Sequence, residues 1–248
     1  HIVKDLLTHG YAVKGSVRDL SEPKKVDHVK KHAETLGVAE RLHLVEGDVL
    51  EADGWAEQMD GCDALFHTAT VYSTSGDATV IIDTANKGTQ HLFTAANECG
   101  IKRIVYTSSI AAVGSMPKGR EKNEDDWQTD RSSPYTIAKT ESERLAWDLA
   151  KQLDLDLRVI NPSGVLGGGF VKPTPSVEWF DDAMKGLFPA APKIPMAFVH
   201  VIDVAIAHRK AYEIDEAQGR FILAPHNNTT IAAVCRRIRE LHPKTKSP

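Results

Sequence analysis

Arg103-Ile104-Val105-Tyr106-Thr107-Ser108-Ser109 is a β-branched, strand-like run that closes on three hydroxyls, and helical patterns flank it on both sides. Upstream, residues 78–99 read as one helix; downstream, a second starts near Tyr135 and extends to about Leu153. The same alternation continues outward. Residues 2–9 set Ile2, Val3, Leu6 and Leu7 on one helical face and stop at Gly10, a residue suited to ending a helix. Residues 11–17 read as a strand, 23–36 as a charged helix, 41–46 as a strand and 55–59 as a short helix. Residues 64–67 form a strand ending in Thr68-Ala69-Thr70, and 157–160 a strand before Asn161-Pro162. This βαβα order predicts a doubly wound α/β fold, a parallel sheet with helices on both faces. Ligands of such sheets sit beyond the carboxyl ends of the strands, where Arg18, Asp48, Thr68, Ser109 and Pro162 all fall.

The chemistry centres on Ser133-Pro134-Tyr135-Thr136-Ile137-Ala138-Lys139, where Tyr135 and Lys139 stand four apart and so share a helix face. A free tyrosine, with a pKa of about 10, is a poor acid–base group at neutral pH. A lysine cation beside it favours the phenolate and brings its proton into useful range. Ser109, from the end of the neighbouring strand, supplies a hydroxyl to polarise a substrate oxygen. Tyr–Lys pairs at this spacing also occur on ordinary amphipathic helices, so the pair gains weight from the strand-end serines and the flanking pattern.

Composition limits the alternatives. The 248 residues are 42% apolar and 26% charged, with a net charge of −4, which describes a globular chain of one large or two small domains. The acidic balance gives no basic field for nucleic acid, and no apolar run reaches the length of a membrane span or a secretory signal. Cys62, Cys99 and Cys235 lie far apart, which fits a cytoplasmic compartment and buried inert thiols better than a metal or redox site. No metal site is expected. The two sequons in Asn227-Asn228-Thr229-Thr230 then read as turn and cap residues.

The ordered motifs resemble the extended short-chain dehydrogenases/reductases. They are Gly47-Asp48-Val49, Phe66-His67-Thr68-Ala69-Thr70, Thr107-Ser108-Ser109, Tyr135-x-x-x-Lys139, Asn161-Pro162-Ser163-Gly164-Val165-Leu166-Gly167 and Phe198-Val199-His200-Val201-Ile202-Asp203-Val204. The branch they look most like holds the dihydroflavonol 4-reductases, the cinnamoyl-CoA reductases and related bacterial aldehyde and ketone reductases. The resemblance covers nearly the whole chain and implies a Rossmann fold with a small C-terminal substrate lobe. The division it suggests is 1–166 for the dinucleotide-binding domain and 167–248 for the lobe with the late Rossmann elements. It implies that Tyr135 is the proton donor in carbonyl reduction, that Lys139 holds the nicotinamide ribose and tunes Tyr135, and that Ser109 binds the substrate oxygen. Asp48 and Val49 would meet the adenine, while Thr68, Ala69, Thr70, Thr107, Pro162, Val165 and Ser176 would line the rest of the cofactor. The partner expected is a small carbonyl or alcohol, the assembly a monomer or homodimer. The resemblance also implies a first strand and a glycine-rich pyrophosphate loop just upstream of Ile2, and further strands and helices after His242-Pro243.

NADP(H) is expected over NAD(H). NAD-specific Rossmann folds carry an acidic residue near the end of the second strand, and here that strand ends Ser16-Val17-Arg18, offering a guanidinium that suits a 2′-phosphate. Lys25 is a second candidate for that phosphate, and Asp19 a competitor that could pair with Arg18. Two further readings stay open: an NAD-dependent sugar-nucleotide epimerase or dehydratase, and a non-catalytic dinucleotide-sensing Rossmann protein. Other residues read more plainly. His67 is expected to be a hydrogen-bonded structural histidine, 167–169 a flexible turn, 120–126 a solvated loop, and Met184, Leu187 and Phe188 helix packing. Gly114 and Ala197 stand where dihydroflavonol enzymes place an asparagine and a glutamine, which predicts smaller or more apolar aldehydes and ketones as substrates.

Overall fold

A computed structural model describes residues 1–69, 78–114, 120–225 and 229–248, with the side chain of Ala78 outside the description. In chain order the elements are α1 (Ile2–Thr8), β1 (Val13–Val17), α2 (Pro23–Leu36), β2 (Leu42–Glu46), α3 (Trp55–Met59), β3 (Ala64–His67), α4 (Ala78–Glu98), β4 (Arg103–Thr107), α5 (Ile110–Val113) and α6 (Pro134–Leu153). There follow β5 (Asp156–Pro162), β6 (Gly164–Leu166), α7 (Pro175–Lys185), β7 (Pro195–Met196), β8 (Phe198–His200), α8 (Val201–Glu213), β9 (Gly219–Leu223), β10 (Thr229–Thr230) and α9 (Ile231–Leu241). The chain forms two compact units, His1–Asn161 with Ala205–Ile222, and Pro162–Val204 with Leu223–Pro248.

In the first unit, β1 and β2 pair in parallel, Val17 opposite Glu46, and β3-β4-β5-β9 form a second sheet. His67 lies opposite Tyr106 and Thr107 opposite Ile160, so the carboxyl ends of β3, β4 and β5 finish at one edge. Side chains alternate across this sheet. One face sends Leu65, Ile104, Tyr106, Leu157 and Val159 into a core with Phe93 and Ala96 of α4 and Ala146 and Ala150 of α6. The small alanines let α4 and α6, the longest helices described, pack side by side. The other face sends Phe66 toward Tyr212 of α8, ring centroids 5.9 Å apart, and the Arg158 guanidinium toward the carboxyl end of the same helix. Helices thus cover both faces, as a doubly wound fold requires.

Arg158 is the one charged residue in an otherwise apolar stretch of β5, and its side chain is 1% exposed. It donates to the carbonyls of Ala211 and Ile214, both at 2.5 Å, and of Asp215 at 3.2 Å, satisfying oxygens that a helix end leaves without intrahelical donors. Asp156 neutralises it through two contacts of 3.1 and 2.9 Å, and Arg103 shares that carboxylate at 2.9 Å. Arg209 of α8 ties in α1 through Asp5 at 2.7 Å.

In the second unit β6 pairs with β8 in parallel and β7 with β10 antiparallel. Ala183, Cys235 and Ile238 form a small core with Trp179, Met184 and Phe188, whereas Leu187 is 64% exposed and does not pack as expected. Gly167 is a constrained corner and not a flexible turn: it has φ of +148°, and a Cβ there would lie 2.6 Å from Val201 Cγ1. Thr230 caps α9 by accepting from the Ala233 N–H at 3.1 Å; Asn227 and Asn228 lie outside the described residues. None of the described helices is long and apolar enough to cross a membrane.

Candidate active site

Tyr135 occupies the first turn of α6, which starts where Ser133 accepts from the Thr136 N–H at 3.5 Å and Pro134 sets the first helical φ. Lys139 follows one turn later and is 4% exposed. Its ammonium donates to the Thr107 carbonyl at 3.4 Å, a long contact that uses one of its three donors. Burial pushes its pKa down to about 8, against an upward pull from Glu143.

Ser109 is the cap of α5, which packs against α6. Its hydroxyl accepts from the Ala111 N–H at 3.1 Å, an arrangement that leaves the hydroxyl proton for a substrate oxygen. Thr107 bonds His208 Nε2 through its own hydroxyl at 2.7 Å. The structure therefore brings Thr107, Ser109 and Lys139 together at the end of β4, with Tyr135 on the same helix face as Lys139.

The remaining predicted residues in the first unit also end strands. Arg18 follows β1, is exposed, and makes no ion pair among the described residues. The expected competitor is otherwise engaged: Asp19 accepts from the Ser21 N–H and hydroxyl at 2.8 and 2.6 Å, contacts that lower its pKa. Lys25 is paired to Glu22 at 2.6 Å and belongs to the solvated face of α2. Asp48 follows β2 and accepts from the Leu50 N–H at 3.0 Å, while Val49 packs against the main core and gives its carbonyl to His91 Nδ1 at 2.9 Å. Thr68 and Ala69 are exposed just past β3; Thr70 lies outside the described residues. In the second unit, Pro162 ends β5, Val165 pairs with Val199 inside β6, and Ser176 stands in the first turn of α7.

His67 corrects one expectation. It is 3% exposed and packs edge-on to Tyr106, ring centroids 5.1 Å apart, but neither ring nitrogen has a hydrogen-bond partner among the described residues. Burial, with a smaller effect of the Lys139 cation, pushes its pKa down to about 3, so the ring stays neutral. The unfolded chain takes up a proton below about pH 6.5 that the fold refuses until about 3, so this residue's contribution is complete above 6.5 and is lost as pH falls toward 3. His67→Phe is accordingly expected to flatten the decline of unfolding free energy between pH 6.5 and 4, measured by urea titration. An unchanged slope would assign that decline to other groups.

Sequence reasoning missed the buried polar group behind the site. Glu143 is 0% exposed and accepts from Ser108 Oγ at 2.5 Å, Asn161 Nδ2 at 2.8 Å and Arg220 Nε at 2.5 Å. The signal was present in its spacing, since Tyr135, Lys139 and Glu143 follow one another at helical intervals of four. Arg220 also holds the 120–126 segment, which is tethered and not merely solvated: it donates to the carbonyls of Glu124 at 2.7 Å and Asp126 at 2.6 Å and lies 4.0 Å over the Trp127 ring. Asp126 additionally pairs with Arg120, which holds its carboxyl well below the usual range. Of the three cysteines only Cys235 is buried; Cys62 and Cys99 are half-buried.

Ligands of doubly wound sheets sit at this carboxyl edge, where the strand-end hydroxyls and the buried Lys139 stand. The profile of the NAD dependent epimerase/dehydratase family matches residues 1–223, and the chain belongs to that family, in its dihydroflavonol and cinnamoyl-CoA reductase-like branch. It is 35% identical to the cinnamoyl-CoA reductase CAD2 of Medicago truncatula, over all of this chain and 78% of that one. It is also 35% identical to cinnamoyl-CoA reductase 1 of Arabidopsis thaliana, over 90% of this chain; the match spans 66% of that relative's length. Among solved structures, Gre2 of Candida albicans in complex with NADPH superposes with a TM-score of 0.83 at 26% identity, covering 99% of this chain and 80% of that one.

Proposed function

We propose that this protein is an NADPH-dependent reductase of aldehydes and ketones that uses Ser109, Tyr135 and Lys139. The observation that carries the reading is Lys139: a lysine buried one turn after Tyr135, whose ammonium reaches the Thr107 carbonyl at the end of β4 only through a long contact of 3.4 Å. A buried ammonium is costly unless a partner completes it, and a ribose diol supplies such acceptors. Arg18, exposed at the end of β1 and without an ion pair among the described residues, suits a 2′-phosphate. The residues present therefore fit the cofactor, and for Pro162, Val165 and Ser176 that role rests on the family resemblance alone. When bound, the nicotinamide supplies the hydride. Tyr135 then delivers a proton to the carbonyl oxygen, Ser109 donates a hydrogen bond to the same oxygen, and Lys139 stabilises the phenolate left behind.

Gly114 supports a small or apolar substrate. Its φ is +99°, a backbone conformation that L side chains rarely adopt, so an asparagine five residues after Ser109 would be strained here. The test is a panel of aliphatic aldehydes, ketones, cinnamoyl thioesters and dihydroflavonols, assayed with NADPH and NADH side by side. Turnover of the first two groups is expected; efficient dihydroflavonol reduction would overturn the substrate class. In the same assay Arg18→Ala is expected to weaken NADPH binding by roughly 1.5–3 kcal/mol, the scale of a hydrogen bond to a charged group, with NADH nearly unchanged. Equal losses for both cofactors would remove Arg18 from the phosphate.

A further inference from the structure

We propose that Glu143 is a positioning residue of the reduction site: a single buried carboxylate that locks the Ser109 segment against the helix face bearing Lys139 and sets a negative charge one turn beyond that lysine. The inference deepens the reading above and rests on it. Three separate strands donate to this carboxylate. Ser108 comes from the end of β4, Asn161 from the end of β5 and Arg220 from β9. The same Asn161 amide donates to the Ser109 carbonyl at 3.1 Å, so the backbone of the catalytic serine is held by a group that Glu143 itself fixes. Arg220 extends the network to the carbonyls of Glu124 and Asp126, in the segment that leads to Tyr135.

Hydrogen bonding alone does not account for a charge here. A buried ion pair is a weak source of stability, and an apolar replacement of similar volume serves a fold as well or better. What an apolar replacement cannot supply is a field at Lys139, whose burial disfavours its cation and whose nearby carboxylate favours it. The other titratable groups around this face are neutral His67 at the end of β3, Tyr106 on β4, Tyr135 on α6, His208 on α8 and Arg220 itself. Among the described residues, Glu143 is the carboxylate whose charge acts on Lys139.

The experiment compares Glu143→Gln/Arg220→Gln, a neutral pair that can keep a hydrogen bond, with Arg220→Gln alone. Three quantities are read on the purified protein: the alkaline limb of kcat/KM, the pH at which the Lys139 Nζ ¹⁵N resonance titrates, and NADPH affinity. In the double variant the limb and the resonance are expected to move down by about one pH unit, the scale of one charge acting across a helical turn. Its kcat should fall about tenfold. In Arg220→Gln the carboxylate loses its counter-charge, and both should move up. A folded variant in which limb and resonance stay put overturns the inference; should the double variant fail to fold, the upward shift in Arg220→Gln decides it. Tyr135→Phe run in parallel separates the two levels of the argument. Lost turnover there with unmoved titrations defeats only Glu143, whereas normal turnover defeats the site on which it depends.

Discussion

Tyr135→Phe lowers kcat by at least about 10²-fold, the usual scale for losing a positioned proton donor, while NADPH affinity stays within about twofold. The substitution removes one oxygen and keeps the ring, so the start of α6, set by Ser133 and Pro134, is undisturbed. Lys139 remains buried beside the Thr107 carbonyl and keeps its capacity for the cofactor ribose. With no acidic proton to deliver, the oxygen of the reduced substrate must take its proton from water, and the barrier rises in the step that kcat reports. Stopped-flow single turnover separates this from slow product release. A variant with near-wild-type single-turnover rate would show that the proton comes from another group.

Arg158→Met costs about 3–5 kcal/mol of unfolding free energy, the range for removing one partner of a buried ion pair. The methionine roughly matches the arginine stem in bulk but donates nothing. The carbonyls of Ala211, Ile214 and Asp215 then lose the guanidinium at the end of α8, Ile214 keeping the Ala217 N–H at 3.0 Å, and among the described residues Asp156 keeps Arg103 as its cation. Against a total of about 5–15 kcal/mol for a typical domain, the loss is large enough to read from the urea midpoint at 25 °C. A cost below about 1 kcal/mol would mean that water or a shifted helix end replaces the guanidinium. Far-UV circular dichroism through the transition shows which, since a frayed α8 loses helical signal before the main unfolding.

The order of elements was legible in the sequence because it depends on neighbours within a few residues. The alternation around Arg103-Ile104-Val105-Tyr106-Thr107 predicts β4 with its observed ends, and the expected strand and helix at 64–67 and 55–59 match β3 and α3. The pairing of Tyr135 with Lys139 on one face follows from 3.6 residues per turn and needs no tertiary information. Ser109 was legible for the same reason: a polar residue ending an apolar run in a parallel sheet stands at the edge where ligands bind.

What surrounds those residues could not be read locally. Arg158 interrupts an apolar strand, and nothing near it in sequence says that the end of α8, more than fifty residues later, needs its protons. Glu143 had the right spacing, yet its partners Ser108, Asn161 and Arg220 come together only when β4, β5 and β9 line up in one sheet. His67 has a neutral ring without a hydrogen bond among the described residues, with Tyr106 and Phe93 packed edge-on to it, which its place in a motif does not disclose. The sequence by itself determined which side chains share a helix face or a strand end, since the backbone repeat dictates that. Only the tertiary structure decided which charges are buried and by what they are answered, because removal from water depends on strand order, and strand order joins residues that are remote along the chain.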